Sequence, residues 1–143
     1  MSINRGIVKI ASVLVIGALW IPSTYSQRPK MVQVDESFNG RQVDIHVGET
    51  LVISLSENAS TGFQWIIPHE SAHDFEKILH ERKPDVEGTA GPPGKPGVRH
   101  FSFEAFKPGT AELELHYRRA WETAKPPARK FNLRIRVRPA SGH

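Results

Sequence analysis

The segment His69-Glu70-Ser71-Ala72-His73 is the part of the sequence that most directly suggests enzyme chemistry. On a helix, histidines four positions apart share a face and can bind zinc, while the intervening glutamate can act as the general base of a hydrolase. Pro68 places His69 in the first helical turn, and His80 falls outside the spacing of the extended zinc-protease motif. These surroundings favour a polar surface segment, so a zinc hydrolase is only an alternative interpretation.

Nucleophilic catalysis has weaker support in the sequence. Ser60, His100 and Asp44 are the residue types of a hydrolase triad, but no local motif connects them. The sequence contains no cysteine, which excludes thiol nucleophiles, disulfides, cysteine-based zinc sites and iron–sulfur clusters. We therefore predict a protein without catalytic residues, metal or cofactor.

The charged residues indicate a mildly basic protein. Lys and Arg total 19 and Asp and Glu total 15, so the formal net charge is +4. Basic side chains are concentrated near the C-terminus, at Arg118, Arg119, Lys125, Arg129, Lys130, Arg134, Arg136 and Arg138. Such a run is usually a solvated strand face, so the pattern favours that interpretation over a nucleic-acid site.

Two segments have the composition of exposed loops. The first, 58–62, consists mainly of turn-forming residues and precedes Phe63 and Trp65, which lie on one face of the next predicted strand. Its Asn58-Ala59-Ser60 triplet is also a formal N-glycosylation acceptor. The second, 91–97, resembles two collagen triplets, but such a short repeat predicts a proline-stiffened loop.

The elements that must position these residues are β-strands, because apolar residues mostly alternate with polar ones. The clearest run is the last, in which Phe131, Leu133, Ile135 and Val137 alternate with polar and basic residues. Similar patterns lie at 32–34, 43–47, 51–55, 63–67, 101–103 and 111–117, with a less certain one near 75–82. Residues 71–80 are the only stretch that could instead be helical.

Turn-forming residues separate these runs, so we predict an all-β fold, an immunoglobulin-like β-sandwich of about seven to eight strands. If successive strands run in opposite directions, every second connection lies at the same end. The connections at 57–62, 84–97 and 119–128 are alternate ones. This arrangement predicts three binding loops clustered at one end.

The first residues predict a cleaved secretory signal peptide over 1–26. Arg5 and Lys9 form a positively charged region before the apolar run at 10–21, and Thr24 and Ser26 are small residues that suit a signal peptidase. An uncleaved anchor is the alternative, but this run is shorter than the ~20 residues that span a bilayer. We expect a single domain over 27–143, secreted or periplasmic, without membrane association after cleavage.

Three stretches together make the sequence resemble the chagasin-type inhibitors of papain-like cysteine proteases. The first reads N-A-S-T-G-F-Q-W where the family has N-P-T-T-G, an aromatic residue and then tryptophan. The second is a G-x-x-G before F-x-F and P-G-T, and the third reads Y-R-R-A-W-E where the family has Y-R-R-P-W-E. In chain order, the matching segments are 58–65, then 94–97 with 101–103 and 108–110, and 117–122.

The resemblance extends from about Gly48 to Val137 but includes two departures. Ala59 and Ala120 replace the family's two loop prolines, and both changes make the loops less rigid. Preorganisation contributes much of the affinity of such a wedge. Ser60 replaces a threonine but keeps the hydroxyl, so we expect weaker or retuned binding rather than none.

The resemblance implies an inhibitor that occludes the protease cleft reversibly and non-covalently. The tip 60–62 would enter over the catalytic thiolate, while 94–97 and Trp121 would grip the walls. Arg119 would pair with acidic residues of the target and mainly affect the rate of association. The implied protease-binding residues are Asn58, Ala59, Ser60, Thr61, Gly62, Phe63, Gly94, Lys95, Pro96, Gly97, Arg119, Ala120, Trp121 and Glu122.

We therefore predict a monomeric protease inhibitor, not an enzyme, whose partner is a papain-like cysteine protease rather than nucleic acid. One alternative is a secreted protein-binding or glycan-binding module that keeps the scaffold without inhibiting proteases. A second concerns Trp121 alone, which could lie in the core instead of at a loop surface.

Overall fold

The computed structural model describes residues 29–83 and 91–142, together with the isolated Gly17. The predicted signal peptide, 1–26, lies outside the described residues apart from that glycine. Among the described residues, no helix has the length and apolar character needed to cross a membrane.

Eight strands form two four-stranded sheets, so the predicted β-sandwich is confirmed. The first sheet has the order β1-β3-β6-β5 and the second has the order β2-β8-β7-β4. The strands are β1 (Met31–Asp35), β2 (Arg41–His46), β3 (Thr50–Glu57), β4 (Phe63–Ile66), β5 (Leu79–Arg82), β6 (Gly97–Ala105), β7 (Gly109–Arg119) and β8 (Arg129–Arg138). Short 3-10 turns at Glu36–Phe38 and Ala59–Thr61 and one helix, α1 (His69–Phe75), complete the described elements.

The alternation of the sequence becomes the two-faced character of each strand. Successive side chains point to opposite faces of a sheet, so every second residue faces the partner sheet. The core between the sheets consists of such residues, including Ile53, Leu55, Leu115, Leu133 and Ile135, all fully buried. Burial of this apolar surface drives the two sheets together.

The segment 71–82, which the sequence allowed to be either helix or strand, contains part of a helix and a strand. Pro68 precedes α1 with a φ of −63° and an extended ψ, and the helix ends at Phe75, before β5 begins at Leu79. Phe75 is buried and packs edge-on against Phe103, with ring centroids 5.3 Å apart. The helix therefore begins two residues earlier and ends sooner than the predicted 71–80, because its position depends on where Phe75 reaches the core.

Strand register brings three connections to one end of the sandwich. Glu57, the last residue of β3, pairs with Gly97, the first residue of β6. Phe63 pairs with Arg119, and the β7–β8 ladder terminates at the Tyr117–Arg129 pair. We call this end the loop end. Its connections are loop 1 (58–62), loop 2 (83–96, of which 83 and 91–96 are described) and loop 3 (120–128). The predicted clustering is confirmed.

Candidate functional site

Loop 1 is closed by hydrogen bonds centred on Asn58. The backbone oxygen of Asn58 accepts from the Thr61 amide at 3.2 Å and from the Thr61 hydroxyl at 2.7 Å. The Ser60 hydroxyl donates to the Asn58 side-chain oxygen at 2.6 Å. Both hydroxyls at the tip therefore bond within the loop, while the side chains of Ala59, Ser60 and Thr61 remain exposed. The tip is a compact, largely self-bonded turn.

Gly62 ends this turn and touches loop 3. Its φ of 76° is in the left-handed region that favours glycine. A Cβ at this position would lie 2.6 Å from Cη2 of Trp121. The indole of Trp121 therefore lies directly over Gly62 while remaining 70% exposed. The alternative of a core position for Trp121 is wrong, and the ring joins the tips of loops 1 and 3.

Arg119 makes a second connection between these loops. Its Nε donates to the Thr61 backbone oxygen at 3.2 Å, and its guanidinium lies over the Phe63 ring, 4.6 Å from the centroid. It also pairs with Glu122 at 3.6 Å. These contacts connect Arg119 to both loops, and its pairing with an acidic target, which the resemblance implied, stays a prediction.

Loop 3 is held from below by Arg118. The Arg118 guanidinium donates to the backbone oxygens of Glu122 and, at 3.2 Å, Lys125. The Glu122 carboxylate pairs with Lys125 at 2.8 Å. This hydrogen bond is the main reason that the pKa of Glu122 lies below its ordinary value, and the charge of Arg119 lowers it further. Cationic side chains thus stabilise loop 3 where the family has proline.

The described part of loop 2 is a tight turn leading into β6. The Lys95 amide donates to the Pro92 oxygen at 2.8 Å, and Gly94 has a φ of 79°. Lys95 and Pro96 are exposed, whereas Gly97 is buried as β6 begins. A side chain at Gly91 would collide with the backbone of Lys95 and Pro96. Glycine at 91 therefore lets the two sides of this turn approach closely.

An aromatic layer supports loops 1 and 3 at the top of the core. Tyr117 packs against Phe63 and Trp65, with ring centroids 5.5 Å and 5.1 Å apart. The Tyr117 hydroxyl accepts the Asn58 amide at 3.0 Å, so this ring holds the beginning of loop 1. The Arg129 guanidinium lies over both Trp65 and Tyr117. Sequence reasoning did not count Tyr117, Arg118 or Arg129 as site residues. The first two lie within the matching segment 117–122, which could have indicated them, whereas Arg129 lies outside every matching segment.

The other candidate constellations are not assembled. His100 contacts Ser54 at 2.8 Å, Ser60 bonds to Asn58, and Asp44 pairs with Arg136 at 3.4 Å. His69 and His73 lie side by side on α1, with ring centroids 5.4 Å apart. Within 29–83 and 91–142, however, no three His, Asp or Glu side chains are placed to hold a metal.

The basic face of β8 is largely matched by acidic neighbours. Arg134 pairs with Glu112 at 2.7 Å, and Lys130 pairs with Glu114 at 3.2 Å. Both pairs join β8 to β7 across the outer face of the second sheet. These ion pairs fit the prediction of a solvated strand face.

Comparisons with known proteins find a matching family and similar sequences. Residues 44–135, more than half of the chain, match the family described as chagasin family peptidase inhibitor I42. Amoebiasin-2 from Entamoeba histolytica is 26% identical over 121 residues, covering 85% of this chain and 94% of that protein. Chagasin from Trypanosoma cruzi is 27% identical over 110 residues, covering 73% of this chain and 96% of that protein.

Two solved structures share the fold. The crystal structure of the cysteine protease inhibitor EhICP2 from Entamoeba histolytica superposes with a TM-score of 0.62 at 23% identity, covering 76% of this chain and 96% of that one. The solution structure of Amebosin gives a TM-score of 0.55 at 27% identity, covering 78% of this chain and all of that one.

Proposed function

The chain belongs to the chagasin family of peptidase inhibitors, and we propose that it inhibits papain-like cysteine proteases by reversible, non-covalent occlusion of the active-site cleft. The observation that carries this proposal is the joining of two loop tips, with the Trp121 ring over Gly62 and Arg119 bonded to Thr61. The relatives support the choice of target class, since one similar structure is of a cysteine protease inhibitor.

The tip of loop 1 has the properties of a plug for a narrow cleft. Papain-like enzymes place a cysteine–histidine pair at the bottom of such a cleft. Ser60 and Thr61 are exposed, and Gly62 presents backbone without a side chain. Because the loop is already closed on Asn58, little conformational entropy is lost on insertion, which favours affinity.

Trp121 provides the main contact beside the plug. It is the most exposed of the large apolar side chains in the described residues. A rigid aromatic ring at the centre of an interface is a common hot spot, and truncating one typically costs about 2 kcal/mol or more. Loop 2, with Lys95 and Pro96 exposed, would contact the opposite wall of the cleft.

The protease would meet this inhibitor outside the cytoplasm. Residues 1–26 contain basic residues, then an apolar run, then small residues, which is the order found in secretory signals. We therefore propose that a monomer of 27–143 acts in the periplasm or extracellular space.

The test is a titration of the purified protein against papain with a fluorogenic peptide substrate. We expect saturable inhibition that is reversed by dilution, with the inhibitor recovered uncleaved. Trp121→Ala and Thr61→Glu should each raise the inhibition constant by about 30-fold or more, without unfolding the domain.

The matched control is Phe106→Ala, which removes another exposed aromatic ring, 38% exposed and outside the loop end. This variant should inhibit papain like the wild type. Normal inhibition by both loop variants, or no inhibition by the wild type at micromolar concentration, would overturn the proposal.

A further inference from the structure

The strand that enters loop 1 has a backbone donor that its neighbouring strand cannot satisfy. β1 pairs with β3 only as far as Asp35 and Ser54. On this side of β3, alternate amides point towards β1, as shown by the Thr50 amide donating to the Lys30 oxygen at 3.0 Å. The Ser56 amide follows this alternation but lies beyond the end of β1. An unpaired backbone donor here would be costly.

The Glu36 side chain supplies the missing acceptor. Its Oε1 accepts from the Ser56 amide at 3.0 Å and from the Ser56 hydroxyl at 2.8 Å. The 3-10 turn just after β1 therefore extends the ladder by one position with a carboxylate. Ser56 also accepts from Trp65 Nε1 at 2.9 Å through its backbone oxygen. Glu36 thus holds the last residues of β3 in place before loop 1 begins.

The same carboxylate oxygen reaches the strand that leaves loop 3. Arg129, the first residue of β8, pairs with Glu36 Oε1 at 3.0 Å. Its guanidinium lies 5.2 Å from the Trp65 ring and 5.5 Å from the Tyr117 ring. Tyr117 in turn accepts the Asn58 amide. One carboxylate therefore joins the bases of loops 1 and 3, in addition to the contacts at their tips.

The turn that carries Glu36 is itself anchored. Asp35 accepts from the Ser37 amide at 2.9 Å, while Asn39 donates to the Lys130 oxygen at 3.2 Å and accepts the Asn132 amide at 2.8 Å. Burial alone raises the pKa of Glu36, but the hydrogen bonds from Ser56 and Arg129 outweigh this and hold the pKa below its ordinary value. The carboxylate is therefore ionised at neutral pH.

We propose that Glu36 is a positioning residue for inhibition, which sets the spacing between loops 1 and 3 by bonding simultaneously to Ser56 and Arg129. This inference rests on the proposed function, but it concerns a residue outside the segment 44–135 that matches the family. Glu36 would contact no protease, since its role is to hold the two strands from which the loops emerge.

The experiment measures papain inhibition and backbone amide exchange of the free protein for Glu36→Ala and Glu36→Gln. For Glu36→Ala, we expect amide exchange at Ser56 and Asn58 to accelerate about tenfold and the inhibition constant to rise about tenfold. Glu36→Gln keeps an oxygen for Ser56 but loses the charge, so both effects should be smaller, about threefold. The glutamine variant also serves if the alanine variant fails to fold.

Glu112→Ala is the matched control, because it removes another acidic partner of β8, the one that pairs with Arg134 at 2.7 Å. It should change neither readout. Unchanged exchange at Ser56 and Asn58 in both Glu36 variants would overturn the proposal, and so would faster exchange with unchanged inhibition. If the wild type does not inhibit papain, the proposed function fails, whereas the exchange data still decide whether Glu36 orders the loop bases.

Discussion

Loops 1 and 3 contact each other but are stabilised by different means. Loop 1 has five residues and closes through neutral hydrogen bonds, with Asn58 accepting from Ser60 and Thr61. Loop 3 has nine residues and depends on charged side chains, with Arg118 bonded to its backbone oxygens and Lys125 paired with Glu122. The two loops lack the family's prolines at Ala59 and Ala120, respectively.

The difference shows two physical substitutes for a rigid proline. A short loop can be closed by its own polar side chains, because the donor and acceptor are only two or three residues apart. A longer loop needs an external support, and here β7 supplies it from beneath. The tip of loop 1 should therefore be insensitive to pH and salt, whereas loop 3 should respond to both.

Among the changes that test this contrast between the loops, Gly62→Ala should have the largest effect, because it disrupts the contact between them. The left-handed φ of 76° alone should cost about 1–2 kcal/mol of unfolding free energy. The added Cβ would also lie 2.6 Å from Trp121, so the indole must move. We expect at least a tenfold increase in the inhibition constant for papain, about 1.4 kcal/mol.

The control for this variant is Gly48→Ala. Gly48 has a φ of 89° with no atom near the position of a Cβ. Urea unfolding should show a similar loss of stability for both variants, while inhibition should weaken only for Gly62→Ala. Equal inhibition by the two variants would show that the indole position is unimportant.

Restoring the prolines should have a smaller and opposite effect. Asn58 has a φ of −106° and a ψ of 85°, outside the α-helical region that a following proline disfavours. Ala120 is the second residue of the turn in which the Glu122 amide donates to the Arg119 oxygen at 3.1 Å, a position that favours proline. Each substitution should raise the unfolding free energy by about 0.4–1 kcal/mol.

The larger improvement in inhibition should come from Ala120→Pro. Loop 1 is already closed by its hydrogen bonds, so Ala59→Pro restricts a segment with little freedom left. Loop 3 is longer and has more conformations to lose. Inhibition constants for the two single variants decide this, and a greater gain from Ala59→Pro would contradict the contrast between the loops.

Lowering the pH should have the smallest effect and, of the two loop tips, should act on that of loop 3 alone. The folded pKa of Glu122 is below its ordinary value of 4.5, so its ion pairs contribute stability above that pH. This contribution is lost as the pH falls through the folded pKa. Amide exchange in 122–128, corrected for the intrinsic pH dependence, should therefore accelerate below 4.5. Exchange at the tip of loop 1, where the Thr61 and Gly62 amides bond to backbone oxygens of the same loop, should not.

The matched control is Glu122→Gln, in which exchange in loop 3 should already be fast and independent of pH over this interval. Equal acceleration of both loops in the wild type would indicate general acid unfolding rather than protonation of Glu122.

The fold could be predicted from the sequence because its signal is local. Alternation at Phe131, Leu133, Ile135 and Val137 identified β8, and the order of turns placed three loops at one end. The ends of α1 could not be derived in this way, since burial of Phe75 against Phe103 depends on the assembled sandwich.

The contacts that support the candidate site were harder to predict from the sequence. Ser56 and Glu36 are 20 residues apart, and Arg119 and Thr61 are 58 apart. Such contacts follow from strand register and side-chain direction, which a pattern of residue types does not specify. Arg119 illustrates the consequence, because its motif did not indicate its contacts with Thr61 and Phe63, while its pairing with an acidic target stays a prediction.

The position of β8 has a consequence for biosynthesis. This strand is the last in chain order, yet it lies between β2 and β7 in the second sheet. While it is being synthesised, β2 has no neighbour in its own sheet, and loop 3 has only one of its two anchoring strands. Contacts between distant segments also form late in folding. A nascent chain lacking β8 would therefore have loop 3 anchored at one side only and Glu36 without Arg129, so inhibitory activity should arise only after synthesis of the domain is complete.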